Sequence, residues 1–266
     1  MDDSTRQAEW DDDIAVAMEC DPALLPVLPE LLADIDDLSG SPTSCVDLLQ
    51  PFVTPAMRSA LDLGCGKGGI AVELAKRFGW HVHGVDAMQP FIEVARARAE
   101  REGVTERCVF EDNEIRTFLS SFREKVDVVI LSSVGPVFGD YKSTIGALRE
   151  HVIRDGFMLI DDAHLNSETD REKVVYPGYV GRDEMLRQLT AHGEEIVKEV
   201  IAAPERLLRI NQRNTALIRK RAEALVHSRP ELSGVLEQYI ARQEHETEVL
   251  GREVTCATWV LRVRSL

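Results

Sequence analysis

The run Ala60-Leu61-Asp62-Leu63-Gly64-Cys65-Gly66-Lys67-Gly68-Gly69 constrains this chain more than any other stretch of it. An apolar segment over residues 59–63 passes directly into four glycines within six positions. A helical spacing follows at once, with Ile70, Leu74 and Phe78 on one face. Glycine reaches backbone conformations that a Cβ forbids and lets the main chain come within contact distance of a ligand. A strand, a sharp bend and a helix, in that order, make the opening unit of a parallel α/β sheet.

The pattern then repeats. Strands are expected over residues 59–63, 82–85, 107–110, 126–131, 157–160, 195–201 and 255–263, with helices over 69–78, 90–101, 141–152 and 181–192. Such alternation predicts right-handed βαβ units: an α/β, doubly wound, mostly parallel seven-stranded sheet with helices on both faces. Ligands of these sheets sit beyond the carboxyl ends of the strands, where each strand here ends in a polar or glycine-rich turn. Residues 1–57 read as an N-terminal helical extension or lid, from apolar stretches at 11–19, 24–38 and 46–53. Residues 58–266 read as the main domain. Within it, helical stretches at 204–226 and 230–251 form a hairpin inserted before the last strand, and the apolar stripe of the second suits a lid or a homodimer interface equally.

Composition narrows the partners. The formal net charge of −15 disfavours a nucleic acid, which needs Lys and Arg gathered on one face. Five scattered cysteines without a C-x-x-C pair read as reduced thiols, neither a disulfide framework nor a zinc site. The acidic N-terminus lacks a secretory pattern, and no apolar run approaches membrane-spanning length. A cytoplasmic, membrane-free protein with a small-molecule substrate is expected.

By spacing alone Gly64, Gly66 and Gly69 satisfy G-x-G-x-x-G, which a nicotinamide-binding turn shares. Asp62, two positions ahead of the first glycine, separates the two possibilities. An anion there opposes a pyrophosphate, whereas S-adenosylmethionine brings an ammonium and a sulfonium that favour a nearby carboxylate. Asp86 lies 22 residues after Gly64, the distance at which a ribose-binding acid is found.

Residues 59–162 resemble the class I (Rossmann-like) S-adenosylmethionine-dependent methyltransferases, most closely those acting on small molecules. The resemblance rests on several stretches in order. Leu61-Asp62-Leu63-Gly64-Cys65-Gly66-Lys67-Gly68 resembles the family's first motif. His83-Gly84-Val85-Asp86-Ala87-Met88 resembles the second, and Phe110-Glu111-Asp112-Asn113 the third. Residues 126–131 resemble the fourth strand and 155–162 the fifth. The resemblance implies S-adenosyl-L-methionine as cofactor and S-adenosyl-L-homocysteine as product. It implies that Asp86 takes the ribose hydroxyls, that an acid at Asp112 accepts from the adenine amine, and that the end of strand four faces the methyl group. The expected cofactor set is Asp62, Gly64, Cys65, Gly66, Lys67, Asp86, Ala87, Met88, Asp112, Asn113, Leu131 and Ser132.

Each of these has a plainer reading beside it. Asp112 also suits the cap of a helix from Glu114, Cys65 is a small side chain in a turn with no base beside it, Lys67 is read as solvent-facing, and Met88 either covers the adenine or packs in the core. On the acceptor side, His164 is the candidate base, since an imidazole exchanges protons near neutral pH. Asp161 and Asp162 are candidates to neutralise a cationic acceptor, and Tyr141, Tyr176 and Tyr179 to line its pocket. Asp161, Asp162 and His164 are also oxygen and nitrogen ligands in close sequence, but no matching acid follows strand four, so no metal is expected. Two other classes share the features: an NAD-dependent oxidoreductase and a non-catalytic S-adenosylmethionine-binding protein.

Overall fold

The computed structural model describes residue 10 and residues 14–38, 41–166, 179–249 and 252–264. Seven strands form one sheet: β1 (Ser59–Leu63), β2 (His81–Asp86), β3 (Cys108–Asp112), β4 (Val126–Ser132), β5 (Val152–Leu165), β6 (Glu195–Ile201) and β7 (Val254–Arg262). Their order is β3-β2-β1-β4-β5-β7-β6. The first five pair in parallel, and β7 runs antiparallel between β5 and β6.

The helices are α1 (Leu28–Leu31), α2 (Pro42–Leu49), α3 (Gly69–Phe78), α4 (Gln89–Arg101), α5 (Ile115–Ser121), α6 (Tyr141–Leu148), α7 (Arg182–Leu189), α8 (Pro204–Ser228) and α9 (Ser233–Val249). Alternation along each strand sends successive side chains to opposite faces. Ala60, Val82, Val128, Ile130 and Leu159 therefore meet α2, α3 and α4 through Leu49, Ile70, Leu74, Ile92 and Ala95. Leu61, Leu63, Val129, Leu131, Met158 and Trp259 meet α5, α6 and α7 through Phe118, Ile145 and Leu189 on the other face. Both layers of the expected doubly wound sheet are present.

Several boundaries differ from expectation for local reasons. The helix expected over 24–38 is broken into a 3-10 turn (Pro22–Leu24) and the single turn of α1, because Pro26 and Pro29 lack the N–H a continuous helix needs. Helix α2 starts earlier than expected, because Ser41 caps it by accepting from the Ser44 N–H at 3.4 Å. Strand β5 runs well past the expected 157–160, carried by its long antiparallel pairing with β7 from Phe157↔Arg262 to Leu165↔Val254.

The chain forms two compact units. One combines Met1–Asp36 with Ala202–Arg252, and the other combines Asp37–Ile201 with Glu253–Leu266. In the first, α8 packs on α9, and Arg221 holds Asp34 through two hydrogen bonds, its Nε donating to Oδ2 at 2.8 Å. The expected extension of 1–57 thus divides between units at residues 36 and 37. Its second part carries Cys45, Val46 and Leu49 into the sheet's core.

Candidate functional site

The bend after β1 is built from left-handed backbone. Gly64, Gly66 and Gly68 have φ of 68°, 51° and 72°, values that suit glycine alone among common residues. Gly68 is the N-cap of α3, so the third conformational glycine of the bend is Gly68. Gly69 matters for space: a Cβ there would lie 2.5 Å from Asp37 Oδ1 and 2.7 Å from Pro42. A Cβ on Gly64 would lie 2.3 Å from Val134 Cγ2. The loop after β4 therefore rests directly on the glycine bend, a contact to which the sequence gives no clue.

Asp86, at the tip of β2, ties the bend down. Its Oδ2 accepts from the Gly66 N–H at 2.8 Å and its Oδ1 from the Met88 N–H at 2.9 Å. The Gly64 and Cys65 N–H groups both donate to the Val85 carbonyl, so the bend hangs from the end of β2. Asp112 is the register partner of Asp86 on β3, and the Asn113 N–H donates to the Asp86 carbonyl at 3.0 Å. Asn113 also donates from Nδ2 to Glu111. Ala87 and Met88 follow, half-buried. The cap of α5 is Glu114, whose carboxylate accepts from the Arg116 and Thr117 N–H groups, and not Asp112, because the helix begins one residue later than expected.

Asp62 is 2% exposed, beneath the first turn of α3. Burial pushes its carboxyl up to about 7, and the nearby Asp86 adds to the rise while the Ala71 N–H opposes it. Its Oδ2 is buried without a hydrogen-bond partner among the described residues. Burial likewise raises Asp86, opposed by its two backbone donors and assisted by Asp112. It raises Asp112 too, against the pull of Arg96. Burial, Asp62 and Asp86 hold the Cys65 thiol well above its usual range, so Cys65 stays protonated and is no nucleophile. Lys67 corrects the expectation of a solvent-facing side chain. It is 6% exposed, with Nζ 5.8 Å above the Phe91 ring, because the left-handed glycines on either side turn it inward over α4.

The tips of β4 and β5 make the other half. Leu131 and Ser132 are buried, and Ser132 is the register partner of Asp161. Asp161 accepts from the Ser132 and Ser133 hydroxyls at 3.1 Å each and from the Thr258 hydroxyl at 2.5 Å. Ser133 has a φ of 57°, a strained conformation for a side-chain-bearing residue at a strand tip. Asp162 points to the opposite face, where it accepts from the Tyr141 hydroxyl at the start of α6 and from the Ala163 N–H. His164 lies on that same face, 4% exposed, its Nδ1 at 3.0 Å from the Leu165 carbonyl. A carbonyl only accepts, so Nδ1 carries a proton, and Nε2 has no partner among the described residues. Tyr179 lies close enough to act on Tyr141; Tyr176 lies outside the described residues. Among the described residues no group of His, Cys, Asp and Glu is arranged to hold a metal ion, and no helix is long and apolar enough to cross a membrane.

Comparison with known proteins gives consistent relatives. A family model described as "Methyltransferase domain" matches residues 56–226. A probable cobalt-precorrin-6B C(15)-methyltransferase (decarboxylating) of Saccharolobus solfataricus is 33% identical over 103 residues, covering 38% of this chain and 50% of that protein. A ubiquinone biosynthesis O-methyltransferase of a Shewanella species is 32% identical over 123 residues, covering 46% of this chain and 51% of that protein. The chain thus spans about half the length of these curated relatives. A SAM-dependent methyltransferase from Geobacter sulfurreducens, solved with S-adenosyl-L-homocysteine, shares the fold at a TM-score of 0.74 and 19% identity, covering 90% of this chain and 98% of that one.

Proposed function

The chain belongs to the methyltransferase-domain family, and on that premise we propose that it moves a methyl group from S-adenosyl-L-methionine to a small-molecule acceptor by in-line displacement. The observation that carries this reading is the meeting of Asp62, Asp86 and Asp112 around the glycine bend: Asp86 holds the Gly66 and Met88 N–H groups, Asp112 is its register partner, and burial, with a smaller share from the neighbouring acid, raises both Asp62 and Asp86. Carboxylates that already resist one another's ionisation repel a pyrophosphate and favour a cationic sulfonium nucleoside. The partnerless Asp62 Oδ2 fits the same cation.

Asp86 spends one hydrogen bond per oxygen on backbone donors and keeps lone pairs for a ribose diol. We assign Gly64, Cys65, Gly66 and Lys67 to the amino-acid end of the cofactor, Ala87 and Met88 to its apolar flank, Asp112 and Asn113 to the adenine, and Leu131 and Ser132 to the methyl end. When bound, the cofactor supplies a methyl group already activated by its sulfonium. The protein's share is then alignment and the exclusion of water, and orientation of this kind is worth ~7–11 kcal/mol of barrier. Asp161 keeps Ser132 and Ser133 in place beside the bend, and we assign His164, whose Nε2 has no partner among the described residues, as the group that takes the acceptor's proton. A net charge of −15 and free cysteines suit a small acceptor and a cytoplasmic setting.

Isothermal titration of the full chain tests the reading. Binding of S-adenosyl-L-homocysteine with no binding of NADH is the expected result; the reverse overturns it. Cofactor binding without methyl transfer across a broad panel of hydroxyl, amine and thiol acceptors would reduce the protein to a nucleoside-binding module.

A further inference from the structure

The glycine bend has little of its own to hold its shape. Gly64, Gly66 and Gly68 have no side chain and the widest conformational freedom of any residue, so contacts from outside must fix them. Asp86 and the Val85 carbonyl take the N–H groups of Gly64, Cys65 and Gly66 and fix the first half of the bend. The second half is reached from α4. Arg98 Nη1 donates to the Lys67 carbonyl at 3.4 Å and to Asp37 Oδ1 at 2.7 Å, and this nitrogen has a hydrogen for each. The first contact is long and weak by itself. The second is short and charge-assisted, and it keeps the guanidinium where it meets Lys67. Asp37 in turn sits at the start of α3: a Cβ on Gly69 would lie 2.5 Å from Asp37 Oδ1 and 3.1 Å from Arg98 Nη1. The next residue, Leu38, lies over Gly66, its Cδ1 3.4 Å from where a Cβ would stand. Gly69 has no left-handed φ to account for it, and alanine would be the better helix former at the first position of α3. The glycine is accounted for by the ion pair it makes room for.

We propose that Asp37 and Arg98 are positioning residues of the cofactor site, an ion pair that holds the Lys67 end of the glycine bend in the shape that receives the amino-acid end of S-adenosyl-L-methionine. This rests on the methyltransferase reading above, in which Gly64, Cys65, Gly66 and Lys67 take that end. Neither Asp37 nor Arg98 needs to touch the cofactor. Phe91 and Arg98 stand two turns apart on one face of α4, the first under the Lys67 ammonium and the second on the Lys67 carbonyl, so one helix fixes both the side chain and the peptide plane of that residue. Without Asp37 the guanidinium has no anchor beside the carbonyl, and the segment that lays Leu38 over Gly66 is released with it. The side chains of Arg98 and Asp37 are 18% and 30% exposed, enough burial for the pair to resist screening by salt. The adenosine half of the cofactor falls instead to Asp86 and Asp112 at the tips of β2 and β3, which are held by their own contacts. Loss of the ion pair is therefore felt at one end of the cofactor and not at the other.

Two ligands separate positioning from a general loss of structure. S-adenosyl-L-homocysteine has both ends of the cofactor, whereas methylthioadenosine has the adenosine half and a thioether without the amino acid. In the full chain, Asp37→Ala should bind S-adenosyl-L-homocysteine about tenfold more weakly by calorimetry and methylthioadenosine, measured by competition, within about twofold of the unsubstituted protein. Asp37→Asn, which keeps an oxygen for Arg98 and loses the charge, should fall between. Gly69→Ala should reproduce Asp37→Ala, because its methyl group takes the space of the Asp37 carboxylate. Asp37→Ala and Arg98→Met should be non-additive, the double variant binding S-adenosyl-L-homocysteine no more weakly than the weaker single one. If Asp37→Ala does not fold, Asp37→Asn and Gly69→Ala carry the comparison. Equal weakening of the two ligands, unchanged affinity for S-adenosyl-L-homocysteine, or additive effects in the double variant overturn the proposal. Failure of the unsubstituted protein to bind S-adenosyl-L-homocysteine overturns the methyltransferase reading itself.

Discussion

Gly64 combines a left-handed φ with a neighbour that leaves no room for a Cβ. Gly64→Ala should cost upwards of about 1 kcal/mol in chemical denaturation. Adding Val134→Ala should restore the part caused by the clash and leave the part caused by φ. Asp86→Ala removes an acceptor from two backbone N–H groups and, on the proposed assignment, from the ribose, so S-adenosyl-L-homocysteine should bind ~1–3 kcal/mol more weakly by calorimetry; unchanged affinity would remove the strand-two acid from the site. Asp62, raised to about 7, must ionise to meet a cation. S-adenosyl-L-methionine should therefore bind more tightly as pH rises from about 5 to about 7, releasing protons detectable as a buffer-dependent heat, and Asp62→Asn should abolish that release. At this scale the sequence is legible where a single spacing carries the chemistry, as with Asp62, the glycines and Asp86. It is silent on Lys67 and Val134, whose positions depend on what the backbone does around them. The Tyr141–Asp162 pair lies between these cases: each residue is a visible candidate, but only the fold makes them partners.

The strands differ sharply in their surroundings. All seven residues of β4 are buried, while β6 is mostly exposed at the sheet's edge and carries Ile201 at 54% exposure. Amide exchange should be slowest in β4 and β1 and fastest in β6, since protection follows burial and edge strands open first; comparable rates in β4 and β6 would contradict the assigned order. The elements of the first βα unit are readable because apolar spacing and the glycine bend agree, and β1, α3 and β6 fall where the pattern puts them. The length of β5 is not readable. Its extension through Asp161, Asp162 and His164 carries polar residues that look like a turn, and beyond Asp161, where the pairing with β4 ends, the antiparallel partner β7 keeps them in a strand. The segment at 24–38 misleads for the opposite reason: its leucines have helical spacing, but two prolines forbid the continuous ladder.

Among the described residues, five acids have folded pKa values above their ordinary ones: Asp62, Asp86, Asp112 and Asp162 in the sheet unit and Glu246 in the helical unit, the last raised to about 7 by burial and by Glu19. Such groups hold their protons more tightly when folded. The stability they contribute is complete below the unfolded carboxylate range and is lost as pH rises through about 6 to 7. For fully buried Asp62 that loss is on the order of 4 kcal/mol. Thermal unfolding of the free protein should therefore move to lower temperature between about pH 4 and about pH 7, and Asp62→Asn should flatten the trend; a midpoint that climbs over that interval would count against these assignments. The wedge of β7 between β5 and β6 has a consequence for how the molecule is made. A nascent chain that has emerged through β6 has no neighbour for either facing edge, and the strand that joins them is translated only after α8 and α9. Until then β5 offers open amides and carbonyls to any passing strand, a period in which aggregation or chaperone capture competes with closure. Ribosome-bound chains halted before Val254 should be degraded by protease far faster than chains halted with β7 free of the exit tunnel.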